Sequence, residues 1–171
     1  RLNIPFYDEE LLTKAAQESG LSEAVFKNFD EQKEGFFSSG MGMYSYDMSL
    51  GQKVFLAQFD AIKKIANNES CVIVGRCADY ILRDNADVLS IFVTADFNDR
   101  VSRVAEYEGI SVEKATEVIN GIDKSRAAYY DFYTEKKWGA ASSYDICLNS
   151  SKLGLDKCLK IVTQIIENKT H

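Results

Sequence analysis

Apolar and polar positions alternate along this chain in two different periods, and the switches between them mark out the elements. Residues 51–67 carry Val54, Phe55, Phe59, Ile62, Ile65 and Ala66 at helical spacing, which predicts an amphipathic helix. A short β-branched run follows at 71–74 (Cys-Val-Ile-Val) and stops at Gly75. It reads as a buried parallel strand, a tight turn and a helix from Ala78 to Leu82. Val88–Thr94 predicts another strand. Asp96 then caps a helix that runs to Glu108, with Gly109 as its stop. Ser111 opens a long helix to about Lys136, Tyr144–Leu148 is a strand ending in Asn149-Ser150-Ser151, and 155–168 is a final helix with Leu155, Leu159, Val162, Ile165 and Ile166 inward. Upstream, residues 3–7 predict a short strand. Asp8 caps a helix over 9–19, and Ser22 starts a second helix to about Phe29.

Residues 30–50 keep neither period. Gly35, Gly40 and Gly42 interrupt Phe36, Phe37, Tyr44, Tyr46 and three methionines. Two readings stand: a flap that closes over a substrate, or a loop whose aromatic rings patch the core. Strands alternate with helices throughout, which predicts an α/β fold with a mostly parallel sheet. One domain over 1–171 is expected, the long helix forming a protruding hairpin.

Composition narrows the function. With 171 residues, 46% apolar and 27% charged positions and a net charge of −6, the chain is an ordinary globular sequence with no broad nucleic-acid surface. No apolar run approaches the roughly 20 residues that cross a bilayer. The four cysteines form no C-x-x-C pair and the single histidine is His171, so zinc and histidine-based nucleophilic catalysis lack their residues. A reducing, cytoplasmic setting is expected. Chemistry must then rest on carboxylates, Lys, Arg, Tyr, Ser or a bound metal.

Three groups of such residues are available. Arg76 directly follows a strand end, where open α/β sheets bind ligands. Its guanidinium beside free helix N–H groups suits a phosphate, and the competing reading is a pair with a local carboxylate. Arg100 and Arg103 lie one turn apart on the helix after Val88–Thr94; they suit an anion or form a solvated face. On the long helix, Asp123, Arg126, Tyr130, Tyr133 and Lys137 fall within an arc of about 80° at 100° per residue. Asp123 and Arg126 also have the spacing of a plain intrahelical pair. Together the three groups predict convergence on a polyphosphate at the carboxyl edge of the sheet, the arrangement phosphoryl transfer needs.

The chain resembles the cytidylate kinase-like family, a branch of the P-loop nucleoside monophosphate kinases. The resemblance is carried by Ile-Pro-Phe-Tyr-Asp at 4–8, Cys-Val-Ile-Val-Gly-Arg at 71–76 and Ile-Asp-Lys-Ser-Arg-Ala-Ala-Tyr-Tyr at 122–130. Tyr-Thr at 133–134, Trp-Gly at 138–139, Tyr-Asp at 144–145 and Leu-Asn-Ser-Ser at 148–151 add to it. It implies a parallel sheet flanked by helices with a helical lid, here 109–138, and 30–50 as the acceptor-binding flap. It implies transfer of the ATP γ-phosphoryl to CMP or dCMP with Mg²⁺, a small-molecule nucleotide being the partner. By the same resemblance Arg76 holds the acceptor phosphate, and Asp79 reaches its nucleoside. Tyr130 joins the substrate-binding set. Asp123 and Arg126 meet the acceptor nucleotide and the moving phosphoryl as catalytic residues, and Arg100 and Arg103 reach the ATP phosphates.

The sequence also departs from the family pattern. No G-x-x-x-x-G-K-[ST] phosphate loop occurs, and the chain starts at Arg1 rather than Met. The expectation is that the first strand and phosphate loop lie upstream in a longer protein, and that the given chain is inactive by itself. Val74 stands where the family has an acid before Gly-Arg, and Cys77 where a second acid is expected. Ile119 and Ile122 replace guanidiniums of the lid. Three functions therefore stay open: a nucleotide kinase, a nucleotide-binding module without catalysis, and a kinase of another small acceptor, for which the Tyr129, Tyr130 and Tyr133 cluster is the motive.

Overall fold

The computed structural model describes residues 3–8, 13 and 44–169, which divide between Asp84 and Asn85 into two compact units. The helix expected over 9–19 lies outside the described residues except for Thr13, which is helical. The helix expected at 22–29 and the first part of the 30–50 segment lie outside them as well.

In the first unit, strand β1 (Phe6–Tyr7) leads to helix α1 (Tyr44–Asn68), strand β2 (Val72–Ile73) and the four-residue helix α2 (Ala78–Ile81). β1 and β2 pair in parallel, Phe6 opposite Val72 and Tyr7 opposite Ile73. Pro5 has no N–H to give a ladder, but its carbonyl accepts from Val72 N–H at 2.8 Å. Strand alternation then sorts the side chains. Tyr7 and Ile73 pack with Phe59, Ile65 and Leu82 against a core of Ile62, Ala78 and Ile81. Phe6, Val72 and Val74 point the other way and are exposed.

Helix α1 begins at Tyr44, not at residue 51, so 44–50 is helical where an irregular segment was expected. Gly51 costs a helix roughly 1 kcal/mol relative to Ala, too little to stop one that gains a hydrogen bond for each residue added. Its buried stripe is also turned from the expected one. Val54, Ala57, Gln58, Ala61 and Ile62 are buried, whereas Phe55 and Phe59 are only partly so. The small Ala57 and Ala61 let the helix approach its neighbours closely, and the two rings pack on each other at 6.2 Å.

The second unit runs β3 (Ile91–Thr94), α3 (Phe97–Glu108), α4 (Val112–Thr134), a 3₁₀ turn at Ala141–Ser143, β4 (Ile146–Asn149), α5 (Ser150–Leu153) and α6 (Leu155–Lys169). β3 and β4 are parallel, in register from Ile91 opposite Ile146 to Thr94 opposite Asn149. β3 starts later than expected because Val88 N–H is engaged in a turn with Asn85 O. Asp145 anchors the strand entry, its carboxylate accepting both the N–H and the hydroxyl of Ser90 at 2.8 and 2.7 Å.

Helices α3 and α4 form the core of this unit. Gly109 ends α3 at φ 65, a left-handed turn that suits glycine. Ser111 then caps α4 by accepting from Lys114 N–H. Val101, Ala115 and Ile119 close the seam with Val104, Ala105 and Ile110 around them. A second apolar centre is aromatic: Phe92 meets Trp138 edge-on at 5.5 Å and Tyr144 at 4.9 Å, and Tyr144 stacks on Tyr130 at 6.1 Å. Gly139 leaves room for this ring, since a Cβ there would sit 3.2 Å from Phe92. Both units are thus mixed helix and strand with small parallel sheets. No helix among the described residues is long and apolar enough to cross a membrane.

Ile62 is fully buried at the centre of the first core. Ile62→Ala is expected to destabilise the protein by about 2–5 kcal/mol, read as a lower urea midpoint; a midpoint matching wild type would show that this core does not carry the unit's stability.

Candidate functional site

The first group of site residues sits on the turn between β2 and α2. Gly75, Arg76 and Cys77 all adopt left-handed backbone, at φ 78, 52 and 56. Glycine takes this conformation freely, but for Arg76 and Cys77 it is strained by about 1–2 kcal/mol each. The turn is held from below. Cys77 is buried at 3% exposure among the core residues, and its carbonyl accepts from Tyr80 and Ile81 N–H at 3.0 and 2.9 Å. Gly75 O accepts from Ala78 N–H at 3.1 Å.

These bonds correct one expectation. The helix N–H groups that were to sit free beside Arg76 are largely turned inward, and α2 has only four residues. The Arg76 guanidinium is the cationic group of this turn. Arg76 and Asp79 both lie close enough to act on the Cys77 thiol, with opposite signs. Burial is the main cause that pushes this thiol up to about 12; Asp79 raises it further and Arg76 opposes. Cys77 therefore stays a neutral thiol and does not replace a missing acid. Val74 is exposed and offers only its N–H, which binds Tyr7 O at 2.9 Å.

The second group lies on α3 and α4. Arg100 holds Asp123 in a two-pronged pair, Nη1 to Oδ2 and Nη2 to Oδ1, both 2.7 Å. This hydrogen bond raises the Arg100 pKa above its ordinary value, against the burial that lowers it. Asp123 is thus bound to the neighbouring helix rather than to Arg126 three positions on. Arg126 is exposed and makes no hydrogen bond or ion pair among the described residues. Arg103 reaches Ser150 Oγ at a long 3.4 Å.

The single polar stripe expected on α4 does not form. Tyr130 is buried at 5% exposure and its ring stacks on Tyr144. Tyr133 packs on Tyr129 at 4.8 Å and Phe132 at 4.9 Å. Lys137 falls beyond the helix, which ends at Thr134 with Glu135 left-handed at φ 56. There Asp131 takes Lys137 Nζ at 2.7 Å and Trp138 N–H at 2.9 Å, and both bonds hold its carboxyl below the ordinary value. Ile119, in a position where the resemblance expects a guanidinium, is in the core of the seam.

One polar network escaped the sequence reading. At the carboxyl ends of β3 and β4, Asn149 Oδ1 accepts from Ser151 and Lys152 N–H while its Nδ2 donates to Asp96. Asp96 also takes Lys152 Nζ at 3.1 Å, and its own N–H donates to Ser151 Oγ. Asp96 does occupy the cap position of α3, but its carboxylate faces these partners and makes no cap bond. The buried Ser150 donates to Thr94 O. The run Asn149-Ser150-Ser151 was the available signal, because three short polar side chains at a strand end are built for capping.

Comparisons with known proteins agree with this architecture. The family model of the cytidylate kinase-like family matches residues 1–152. The chain is 38% identical over 101 residues to the cytidylate kinase of Thermococcus kodakarensis, covering 57% of this chain and 49% of that protein. It is 30% identical over 100 residues to the cytidylate kinase of Staphylothermus marinus, covering 56% and 54%. The chain spans about half the length of these curated relatives. The crystal structure of an uncharacterized protein from Eubacterium ventriosum superposes with a TM-score of 0.74 at 32% identity, covering 96% of this chain and 83% of the other.

The thiols give a direct check on the turn. All four cysteines are free, Cys147 exposed and Cys77 buried. Iodoacetamide at pH 8 is expected to label Cys147 in the native protein and Cys77 only after denaturation, read by peptide mass spectrometry. Because the folded Cys77 titrates at about 12 against an ordinary 9.0, the stability it contributes is complete below pH 9 and is lost as pH rises toward 12. Cys77→Ala should lack that alkaline limb; prompt native labelling of Cys77 would contradict its burial.

Proposed function

The chain belongs to the cytidylate kinase-like family, and from that premise we propose that the protein is a phosphotransferase moving the γ-phosphoryl of ATP to a nucleoside monophosphate, CMP or dCMP first among them. The observation that carries this reading is the guanidinium set of the second unit: Arg100 and Arg103 on α3, and Arg126 on α4, which has no partner among the described residues. Phosphoryl transfer spreads negative charge over the three oxygens of the moving group. It asks the protein mainly for positioning and for fixed positive charge.

In this proposal Arg76 binds the acceptor phosphate and Asp79 the acceptor nucleoside. Arg100 and Arg103 take the ATP phosphates. Arg126 and Asp123 serve the acceptor nucleotide and the transferring group, with 109–138 as the lid and 30–50 as the flap. An acceptor phosphate oxygen forms the new bond to the γ-phosphorus, the bond to the bridging oxygen breaks, and ADP leaves with that electron pair. Tyr130 belongs to the acceptor-binding set of this proposal, with its ring stacked on Tyr144. A cytoplasmic setting belongs to the same proposal.

Mg²⁺ fits the described residues poorly. They gather no cluster of three metal-ligating side chains, and the neutral thiol of Cys77 is no partner for a hard cation. The ion's place in this proposal is on the triphosphate.

Two findings favour a second reading, a nucleotide-binding module without catalysis: Val74 and Cys77 supply no acid, and Asp123 is already paired. The third reading keeps the Tyr129, Tyr130 and Tyr133 cluster as its motive, and the rings of all three take part in aromatic contacts.

The natural full-length protein assayed with ATP, Mg²⁺ and a panel of ribo- and deoxyribonucleoside monophosphates tests the proposal. Turnover is expected, with kcat/KM highest for CMP or dCMP; ATP binding without turnover of any acceptor supports the module instead. Arg76→Ala should raise the acceptor KM about 10- to 100-fold, the loss of one charge-assisted contact, with an unchanged circular dichroism spectrum. Unaltered kinetics would make Arg76 a structural residue.

A further inference from the structure

Arg100 offers a guanidinium fork that is already filled. Its two N–H bonds to Asp123 are equal at 2.7 Å. A carboxylate and a terminal phosphate present the same pair of oxygens to such a fork. The pair is not sealed: the two side chains keep 30% and 26% of their exposure, so a solute has a line of approach. Arg126, one turn beyond Asp123, has no partner among the described residues. Asp123 thus pairs with Arg100, and Arg126 stands one helical turn away on α4.

The seam does not need the pair to stay closed. Its packing comes from Val101, Ala115 and Ile119 with Val104, Ala105 and Ile110. Asp123 can swing out of the fork while the helices remain in contact. An incoming monoanion would replace like with like and leave Asp123 unpaired beside it. A terminal phosphate carries more charge at the same distance, which scales its attraction in proportion, and Arg126, one helical turn from Asp123, offers a second guanidinium.

We infer that Asp123 is a resident counter-anion in the Arg100 fork, exchanged for a terminal phosphate of the donor, and that it thereby sets the charge a ligand must carry to enter. The inference rests on the kinase reading above and adds the regulation of its donor site. The exchange makes and breaks ion pairs only.

Inorganic tripolyphosphate is the probe, titrated by calorimetry into the full-length protein at fixed ionic strength. Asp123→Asn empties the fork of charge and should tighten tripolyphosphate binding about tenfold. Glu117→Gln removes the same charge from α4, where Glu117 only pairs with the exposed Lys114; it should leave the affinity unchanged. Acetate, replacing chloride at equal ionic strength, should compete with tripolyphosphate in Asp123→Asn and not in wild type, because it refills the vacated fork. Arg126→Ala, at an exposed position with no partner among the described residues, should weaken binding in either background and decides the matter if Asp123→Asn does not fold.

Affinity in Asp123→Asn at or below wild type, a gain matched by Glu117→Gln, or indifference to Arg126→Ala overturns the inference. The two readings fail separately. No turnover with any acceptor, together with tighter binding in Asp123→Asn, removes the kinase and keeps the exchange. Turnover with unaltered tripolyphosphate binding in Asp123→Asn does the reverse.

Discussion

Two parallel strands cannot be joined by a tight turn, because the chain must travel back along the full length of the ladder before it can pair again. Both ladders among the described residues are parallel, and that constraint decides where the described helices lie. β1 reaches β2 by way of α1, and β3 reaches β4 by way of α3 and α4. The strands themselves are only two or four residues long, too short to hold a structure by their hydrogen bonds. The crossover helices supply the cores, Ile62 in one unit and Val101, Ala115 and Ile119 in the other. They also carry or adjoin the charged groups, so packing and chemistry share the same few turns of helix.

That sharing explains which features the sequence discloses. Ser111 is legible as a cap because its partner, Lys114 N–H, is three positions away. Gly109 is legible as a stop because its conformation is its own. Parallel pairing was legible too, since apolar runs alternate with helical ones. The Arg100–Asp123 pair was not, because its partners are 23 positions apart and Arg126 offered a nearer choice. The network joining Asp96 to Asn149 spans 53 positions, and a carboxylate at a cap position reads as a cap until its competitors are known. The stripe on α4 failed for a different reason: periodicity treats every position on one face as equivalent, but a helix lying in a seam has its face divided by what packs there. Tyr130 went to the aromatic centre, Asp123 to α3, and Arg126 stayed in solvent.

The turn after β2 shows how far local strain can be supported. Two non-glycine residues in left-handed backbone work against the fold, and the burial of Cys77 with the anchoring of Ala78 and Ile81 works for it. A side chain displayed from a conformation held this way has little freedom in where its backbone points. The backbone from which the Arg76 guanidinium extends is held in this way.

The apolar side of the first ladder has a consequence for the protein in solution. Phe6, Val72 and Val74 are 51%, 41% and 52% exposed, a sticky surface on a pair of strands whose edges invite further pairing. The net charge of −6 opposes the meeting of such surfaces. As acid protonates the carboxylates that repulsion fades, and turbidity that rises with protein concentration is the expected sign of this surface on the acid side.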